Sequence, residues 1–247
     1  MHQSPRRAAS SLALLLLLLP AAVQAGPPYV TDDPEPVELH HWEAYLATLA
    51  AFGVDGFAGP VPLLEANYGA APNLQLHAVM PFVLSAGGGG ASHYGPGDLE
   101  LGAKYRFLDE EQVGIQVGVF PIVTLPTGNS TKGLGEGSTT ALLPIWLQKS
   151  VGPWTTYGGG GYRIRPGPDG WYLGWLVQRR LGPVVIGAEV FHETDSESTL
   201  AGASGFTVGM VADLSERHHL LASFGGGPGA QVLHAYLGWQ VTFGPKE

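Results

Sequence analysis

The sequence predicts an all-β protein, an up-and-down antiparallel transmembrane β-barrel of about 12 strands that follows a cleaved signal peptide. Three observations support it: segments in which apolar and polar residues alternate, connections that alternate in length, and an N-terminal export signal. The alternation is clearest over residues 98–107. One face carries Leu99, Leu101, Ala103, Tyr105 and Phe107, and the other carries Asp98, Glu100, Lys104 and Arg106. Because strand side chains repeat with period two, this segment is a strand with an apolar and a charged side.

Residues 1–25 have the features of a secretory signal peptide. Arg6 and Arg7 form its positive region, residues 12–19 form its apolar core, and Val23-Gln24-Ala25 places small residues at −3 and −1. Cleavage is therefore expected after Ala25. The alternative, an uncleaved anchor, is disfavoured because the apolar run is too short to cross roughly 30 Å of hydrocarbon as a helix.

The composition of the mature chain excludes several classes of protein. The signal holds two of the 12 Lys and Arg and none of the 21 Asp and Glu, so the mature net charge is −11. This acidity argues against a nucleic-acid partner. The absence of cysteine excludes disulfides, zinc-thiolate sites and a lipidated N-terminal cysteine. All 37 glycines follow residue 25, which fits turns and curved strands.

The chain divides into the signal at 1–25, a Pro-rich N-terminal segment at 26–37, a barrel at 38–243 and a tail at 244–247. Twelve strands are predicted, at 38–52, 61–70, 74–84, 98–108, 112–124, 138–150, 154–164, 170–181, 184–193, 204–214, 217–225 and 232–243.

The connections between these strands alternate in length. Those after even-numbered strands are short, at 71–73, 109–111, 152–153, 182–183 and 215–216, whereas most after odd-numbered strands are longer, at 53–60, 85–97, 125–137, 165–169, 194–203 and 226–231. This alternation is typical of an up-and-down barrel in a bacterial outer membrane with both termini in the periplasm. A soluble β-sandwich, the alternative, would not need it.

Aromatic residues gather near the predicted strand ends, as in the interfacial girdles of membrane barrels. They are Trp42, Tyr105, Phe107, Trp154, Tyr162, Trp171 and Trp239. Ordinary β-propensity is the alternative explanation. The last strand ends on Phe243, four residues before the C-terminus, and such a terminal aromatic is what barrel assembly machinery recognises. The expected partners are that machinery, outer-membrane lipid and lipopolysaccharide, and a small-molecule solute.

Charged residues in the middle of a strand should point into the lumen, because Arg or Lys facing lipid at the midplane costs about 2–4 kcal/mol. This rule predicts a lumen set, with the selectivity of a pore as its proposed role: Glu43, Glu65, Asn67, Gln75, His77, Glu100, Lys104, Arg106, Arg163, Gln178, Arg180, Glu189, Asp213, His234, Tyr236 and Gln240.

Two interpretations of the lumen charges stay open. In one, they form a polar filling, with Lys104, Arg106, Arg163 and Arg180 paired to Glu65, Glu100, Glu189 and Asp213. In the other, opposed charges orient a polar solute along a pathway. Twelve strands fall between eight, which side chains fill, and sixteen, which leave an aqueous channel. A narrow or plugged pore is expected.

Two segments have unresolved roles. The N-terminal segment carries Asp32, Asp33 and Glu35. One hypothesis is that these residues hold a cation; another is that the segment plugs the barrel and they meet lumen arginines. A simple periplasmic leader is the alternative. Residues 158–161 are four consecutive glycines within a strand, interpreted as a curvature device or as room for a substrate or the N-terminal segment.

No catalytic residue, metal site or cofactor is predicted. Residues 127–137 are rich in Gly, Ser and Thr but lack the spacing of a phosphate-binding loop. The pairs His40-His41 and His218-His219 are adjacent on strands, so their side chains point to opposite faces. His192 with Ser196 or Ser198 is the one grouping that suggests a hydrolase, and no third residue supports it.

Several stretches together resemble one family. They are 26–36, His41-Trp42-Glu43, Asn67-Tyr68-Gly69, 72–76, 97–107, 144–150 and 152–162. The sequence is similar to the outer-membrane barrel family named for the meta-pathway of phenol degradation, over nearly the whole mature chain. The resemblance implies an outer-membrane channel for passive passage of small solutes, with aromatic or hydrophobic compounds as candidates, and supplies no site residues. The alternative is a closed structural or binding barrel without a conducting pore.

Overall fold

A computed structural model describes residues 27–53, 56–87, 91–167, 169–194, 203–227 and 232–245. The predicted signal peptide lies outside the described residues, as do Ser196 and Ser198 and the last two residues of the predicted tail. No helix in the described part of the chain is long and apolar enough to cross a membrane.

The described chain forms one antiparallel sheet that closes on itself. Its strands are β1 Trp42–Gly53, β2 Gly56–Ala71, β3 Leu74–Gly87, β4 His93–Pro96, β5 Leu99–Leu108, β6 Gln116–Val119, β7 Ile122–Leu125, β8 Thr140–Val151, β9 Trp154–Ile164, β10 Gly170–Leu181, β11 Val184–Glu193, β12 Ala203–Asp213, β13 His218–Gly227 and β14 Val232–Phe243. Strand β1 pairs with both β2 and β14, which closes the barrel.

The fourteen strands occupy twelve positions around the barrel, which we call staves, because two of these positions each hold two shorter strands. Strands β4 and β5 both pair with β3. Strands β6 and β7 both lie between β5 and β8. The closed twelve-strand antiparallel barrel predicted from the sequence is thus confirmed, and the predicted bounds of β9, β10, β11 and β14 match the observed ones.

The prediction of a continuous strand over 112–124 is wrong. Residues Glu110–Val113 instead form a single helical turn, α1, whose first amides are capped by Asp109 and which ends at Gly114 with φ of 83°. The stave also breaks at Pro121, which has no N–H to donate to the ladder. The break separates β6 from β7. Phe120 lies between them with its side chain buried inside the barrel, on the same face as Gln116 and Ile122.

The connections differ at the two ends of the barrel, although less regularly than predicted. Two-residue turns at Asn73, Gly152 and Gly182 use residues with positive φ, which two-residue hairpins require. The expected loop over 53–60 is wrong, since β1 continues to Gly53 and pairs there with Gly56, where β2 already begins. We call the end that carries most of the short turns, together with Trp42 and Phe243, the short-turn end, and the other the long-loop end.

The long connection between β7 and β8 is held by Asp98. The two oxygens of its carboxylate accept hydrogen bonds from the amides of Gly128 (2.8 Å) and Glu136 (2.7 Å). The loop contains a 3₁₀ turn, Ser130–Lys132, and no long helix that would bind phosphate. Its Gly-rich composition is therefore explained by loop geometry.

The two faces of the barrel wall differ in chemistry. The outer face is covered by exposed Leu, Ile, Val, Phe and Trp side chains from every stave. The inner face is not uniformly polar. Three groups of buried apolar side chains lie inside: Val30, Phe120, Ile122, Leu142, Trp146 and Tyr172; Tyr45, Ala47, Leu63, Val79, Leu221 and Tyr236; and Tyr29, Tyr157 and Leu176.

Candidate functional site

Residues 27–37, which we call the inner segment, run inside the barrel. The segment enters at the short-turn end, where the amide of Val37 donates to Gln75 Oε1 at 2.9 Å. Farther in, the hydroxyls of Thr31 and Tyr172 lie 3.2 Å apart. At its inner end Ser223 donates to the carbonyl oxygen of Pro28. The segment therefore touches strands on opposite sides of the barrel and occupies part of the lumen.

Glu189 anchors the inner segment. Its two carboxylate oxygens accept hydrogen bonds from the backbone amides of Val30 and Thr31, each at 2.7 Å. Glu189 is almost fully buried, so these charge-assisted bonds replace its hydration. The lumen position predicted for Glu189 agrees with this contact, but its partner is the chain's own backbone and not a lumen arginine.

Lys104 binds the inner segment from the side of the barrel opposite Glu189. Its ammonium lies 3.0 Å from Asp32 Oδ1 and 3.4 Å from Asp33 Oδ1. It also lies 5.1 Å from the ring centroid of Phe120. Lys104 is 5% exposed and Asp32 is 2% exposed. The acidic residues of the segment thus meet a lumen lysine.

Glycines make room for the inner segment. A Cβ at Gly187 or Gly209 would overlap the ring of Tyr29, and one at Gly174 would overlap Thr31. Bare backbone at these three positions of β10, β11 and β12 lets the segment lie against the wall. The sequence offered a signal for this, since these glycines occupy inward positions of otherwise regular strands.

Four polar side chains form a buried chain on β2, β3 and β5. Asn67 Nδ2 donates to Glu65 Oε1 at 2.9 Å, and Asn67 Oδ1 lies 2.6 Å from His77 Nδ1. The other imidazole nitrogen, Nε2, lies 2.9 Å from Glu100 Oε1. Glu65 and Glu100 therefore share a histidine and are not paired with Lys104 or Arg106.

The remaining basic lumen residues pair near the barrel ends. Arg163 lies 2.8 Å from Glu193, and Arg106 lies 3.2 Å from Asp109. Only Arg180 has the partner considered from the sequence, Asp213, at 2.8 Å. Its neighbour Arg179 points outward, over the ring of Trp154. Strand register decides these pairs, because it sets which inward residues face each other.

Other predicted lumen residues also point inward. Tyr45 donates to Glu43 Oε2 at 2.8 Å and accepts a hydrogen bond from Gln240 Nε2 at 2.9 Å. His234 Nε2 lies 3.0 Å from the hydroxyl of Thr207. Tyr236 packs in the apolar group around Leu221.

A cavity of about 670 Å³ lies between the inner segment and the wall. It extends to the short-turn end, since its lining includes His41, Trp42 and Glu216. Deeper in, the lining includes the Glu65–His77–Glu100 chain, Lys104 and Gln178, together with the aromatic rings of Tyr45, Phe120 and Tyr157. The cavity thus combines ionisable groups with apolar walls.

The Gly158–Gly161 run serves side-chain packing. A Cβ at Gly158 would overlap Trp175 on the outer face, whose indole nitrogen donates to Thr156 at 2.9 Å. A Cβ at Gly159 would overlap the backbone of Ile145 and crowd Trp146 inside. The run does not contact the inner segment through these positions. Bulky neighbours on both faces of the wall therefore explain it.

The adjacent histidines His218 and His219 contact different residues. His219 Nδ1 lies 2.9 Å from Asp213 Oδ1, and His218 stacks on Trp239. Among the described residues no group of three or more His, Asp and Glu side chains is placed to hold a metal ion.

His192 does have a serine partner, but a different one from those predicted. Its Nδ1 lies 2.8 Å from Ser204 Oγ across the β11–β12 pair, while Ser196 and Ser198 lie outside the described residues. Within the described chain no carboxylate or amide side chain bonds to this imidazole. Among the described residues the pair thus has no orienting group of the kind that activates a serine nucleophile.

One carboxylate of the long loop is also perturbed by its surroundings. Burial raises the pKa of Glu136, while the charges of Arg163 and Arg165 act to lower it. Glu136 thus lies near Arg163 and Arg165 at the long-loop end and is not among the residues that line the cavity.

Comparisons with solved structures show similarity to closed outer-membrane barrels. The COG4313 outer membrane channel from Pseudomonas putida F1 superposes with a TM-score of 0.66 at 18% identity, covering 85% of this chain and 98% of that one. The KdgM porin superposes with a TM-score of 0.59 at 10% identity, covering 81% of this chain and 99% of that one. At these identities the likeness establishes the fold.

Comparisons of the sequence itself give no further assignment. No protein-family model matches the chain, and no curated protein matches it significantly. The class that the fold defines is the closed twelve-strand antiparallel barrel, an architecture with channels and porins among its members.

Proposed function

We propose that this chain is a channel of the bacterial outer membrane that lets small solutes pass passively through its lumen. The observation that carries the proposal is the contrast between the two faces of the closed wall. Every stave presents apolar side chains outward, whereas charged groups and a cavity of about 670 Å³ lie inside. An apolar exterior of this extent is suited to lipid and costly in water.

The ends of the barrel support a membrane orientation with both termini in the periplasm. Trp42, Trp154, Trp239 and Phe243 are exposed at the short-turn end, as in one of the two aromatic girdles that flank the apolar band of such barrels. The short turns lie at this same end, as periplasmic turns do in outer-membrane barrels. In this orientation the exterior contacts outer-membrane lipid and lipopolysaccharide, and the chain is a client of barrel assembly machinery.

The inner segment makes the proposed pathway narrow. It crosses the lumen and is held by Glu189 and Lys104, so solutes pass beside it or after it moves. The lumen residues predicted from the sequence, Glu65, Glu100, Lys104 and Arg106 among them, then set selectivity. The resemblance to the barrel family of the phenol meta-pathway supports small aromatic or hydrophobic solutes, and no catalytic step is proposed.

A closed structural or binding barrel is the second candidate. It is favoured by one observation, the filling of the lumen by the inner segment and by the apolar group around Trp146 and Tyr172.

Single-channel recording in planar bilayers separates the two candidates. The full mature chain is compared with a variant that lacks residues 27–37 and with protein-free bilayers. A channel gives small conductance steps for the full chain and larger steps for the shortened variant, because the segment occupies lumen cross-section. Silence of both forms, with folding verified, would contradict the channel and favour the closed barrel.

A further inference from the structure

We propose that the cavity binds small organic cations in which a protonated amine is joined to an apolar or aromatic group. This inference rests on the proposed channel function and names its solute class. Three features of the cavity support it: an excess of acidic residues, a Glu100 oxygen without a hydrogen-bond partner, and the environment of the Lys104 ammonium group.

Acidic groups dominate the lining of the cavity. Two basic residues, Lys104 and Arg180, contribute to it, against eight acidic residues: Asp32, Asp33, Glu35, Glu38, Glu43, Glu65, Glu100 and Glu216. Arg180 is engaged by Asp213, which is not part of the lining. Within the described chain, neither Lys nor Arg lies within ion-pair distance of Glu43, Glu65 or Glu100. Three inward carboxyl groups thus lack a basic partner other than a histidine.

One of these groups has an oxygen without any partner. Glu100 is 1% exposed, and its Oε1 is engaged by His77 at 2.9 Å. Its Oε2 is buried and has no hydrogen-bond partner. A buried oxygen without a donor is unfavourable, and a charged N–H donor would satisfy it once the Glu100 carboxyl group turns this oxygen towards the cavity.

Lys104 shows the chemistry that such a ligand would use. Its primary ammonium is held by the carboxylates of Asp32 and Asp33 while it lies over the ring of Phe120. Carboxylates with an aromatic face form the usual environment of a bound ammonium group. Tyr45 and Tyr157 extend the aromatic surface around the same cavity. Arylalkylamines therefore find both an anion and an apolar wall.

The geometry favours an organic cation over a metal ion. The described residues place no set of three acidic or histidine side chains around a metal site. A volume of about 670 Å³ is within the usual range of small-molecule sites, about 300–1,000 Å³.

Isothermal titration calorimetry on the purified full mature chain in detergent tests the inference. The probes are 2-phenylethylamine, 2-phenylethanol and phenylacetate, which share an aromatic ring and differ in charge at neutral pH. The amine is expected to bind about tenfold more tightly than the alcohol, since one charged hydrogen bond is worth about that much. Phenylacetate is expected to bind most weakly. Equal affinities for the three probes, or a preference for phenylacetate, would overturn the inference.

Two isosteric variants locate the site. Glu100→Gln and Glu65→Gln are expected to weaken amine binding about tenfold with no change for the alcohol. Glu111→Gln on α1, which lies outside the cavity, serves as the matched control. Unaltered amine affinity in both cavity variants would refute the assignment, and the probe series on the unmodified chain remains decisive if a variant fails to fold.

The calorimetry tests the cation site and the bilayer recording tests the channel, so each proposal can be refuted without the other. A silent barrel that still prefers the amine would refute the channel and retain the cation site. A conducting barrel without amine preference would refute the cation site alone. The same conclusion holds if sodium or calcium chloride displaces the probes but the amine binds no more tightly than the alcohol.

Discussion

Replacing Glu189 by Gln should release the inner segment from the barrel wall. The carboxylate accepts two backbone amides, from Val30 and Thr31, at 2.7 Å each. A glutamine keeps one acceptor oxygen and turns an NH₂ group towards the second amide. One charge-assisted hydrogen bond is lost, and such bonds are worth about 1.5–3 kcal/mol. Because about 1.4 kcal/mol corresponds to a tenfold change in population, we expect detached segments to become about 10- to 100-fold more populated.

Thiol labelling measures this population directly because the chain has no native cysteine. Thr31→Cys introduces a single reactive group at a position that is 0% exposed. A charged methanethiosulfonate should label it slowly, and the added Glu189→Gln change should raise the rate by the same 10- to 100-fold. The rate follows the open population when the segment recloses faster than the reagent reacts.

Glu193→Gln is the matched control. Glu193 lies four residues farther along the same inner face of β11 and pairs with Arg163. Its replacement should leave the labelling rate of the cysteine at position 31 unchanged. Rapid labelling with Glu189 present, or an equal acceleration by both variants, would refute the anchoring role of Glu189.

Two further predictions concern the outer face. Ile145→Arg, at the middle of β8 on the outer face, should lower the free energy of unfolding from lipid vesicles by about 2–4 kcal/mol, whereas Val151→Arg at the end of the same strand should cost about 0–1 kcal/mol. Equal costs in denaturant titrations would contradict a bilayer around this face. Ser204 should not react with a fluorophosphonate probe, because no described group orients the His192 imidazole; labelling that disappears in Ser204→Ala would revive the hydrolase hypothesis.

The alternation of residues determined most of the barrel. A strand that faces two environments repeats its chemistry every second residue, so the inward position of Lys104 and the outward positions of Leu101 and Tyr105 could be predicted. The bounds of β9, β10 and β11 could be predicted for the same reason, since tight turns with Gly152 and Gly182 mark their ends. Sequence alone failed at α1 and Pro121, where local capping and a missing amide interrupt the strand.

The partners of the inward residues were decided by tertiary structure. Asp32 and Lys104 are 72 positions apart, and only closure of the barrel around the inner segment brings them together. Glu189 was an evident lumen residue, yet its role as an anchor depends on where the amides of Val30 and Thr31 come to lie. Alternation specifies the face on which a side chain lies, whereas register and the path of the inner segment specify what it meets there.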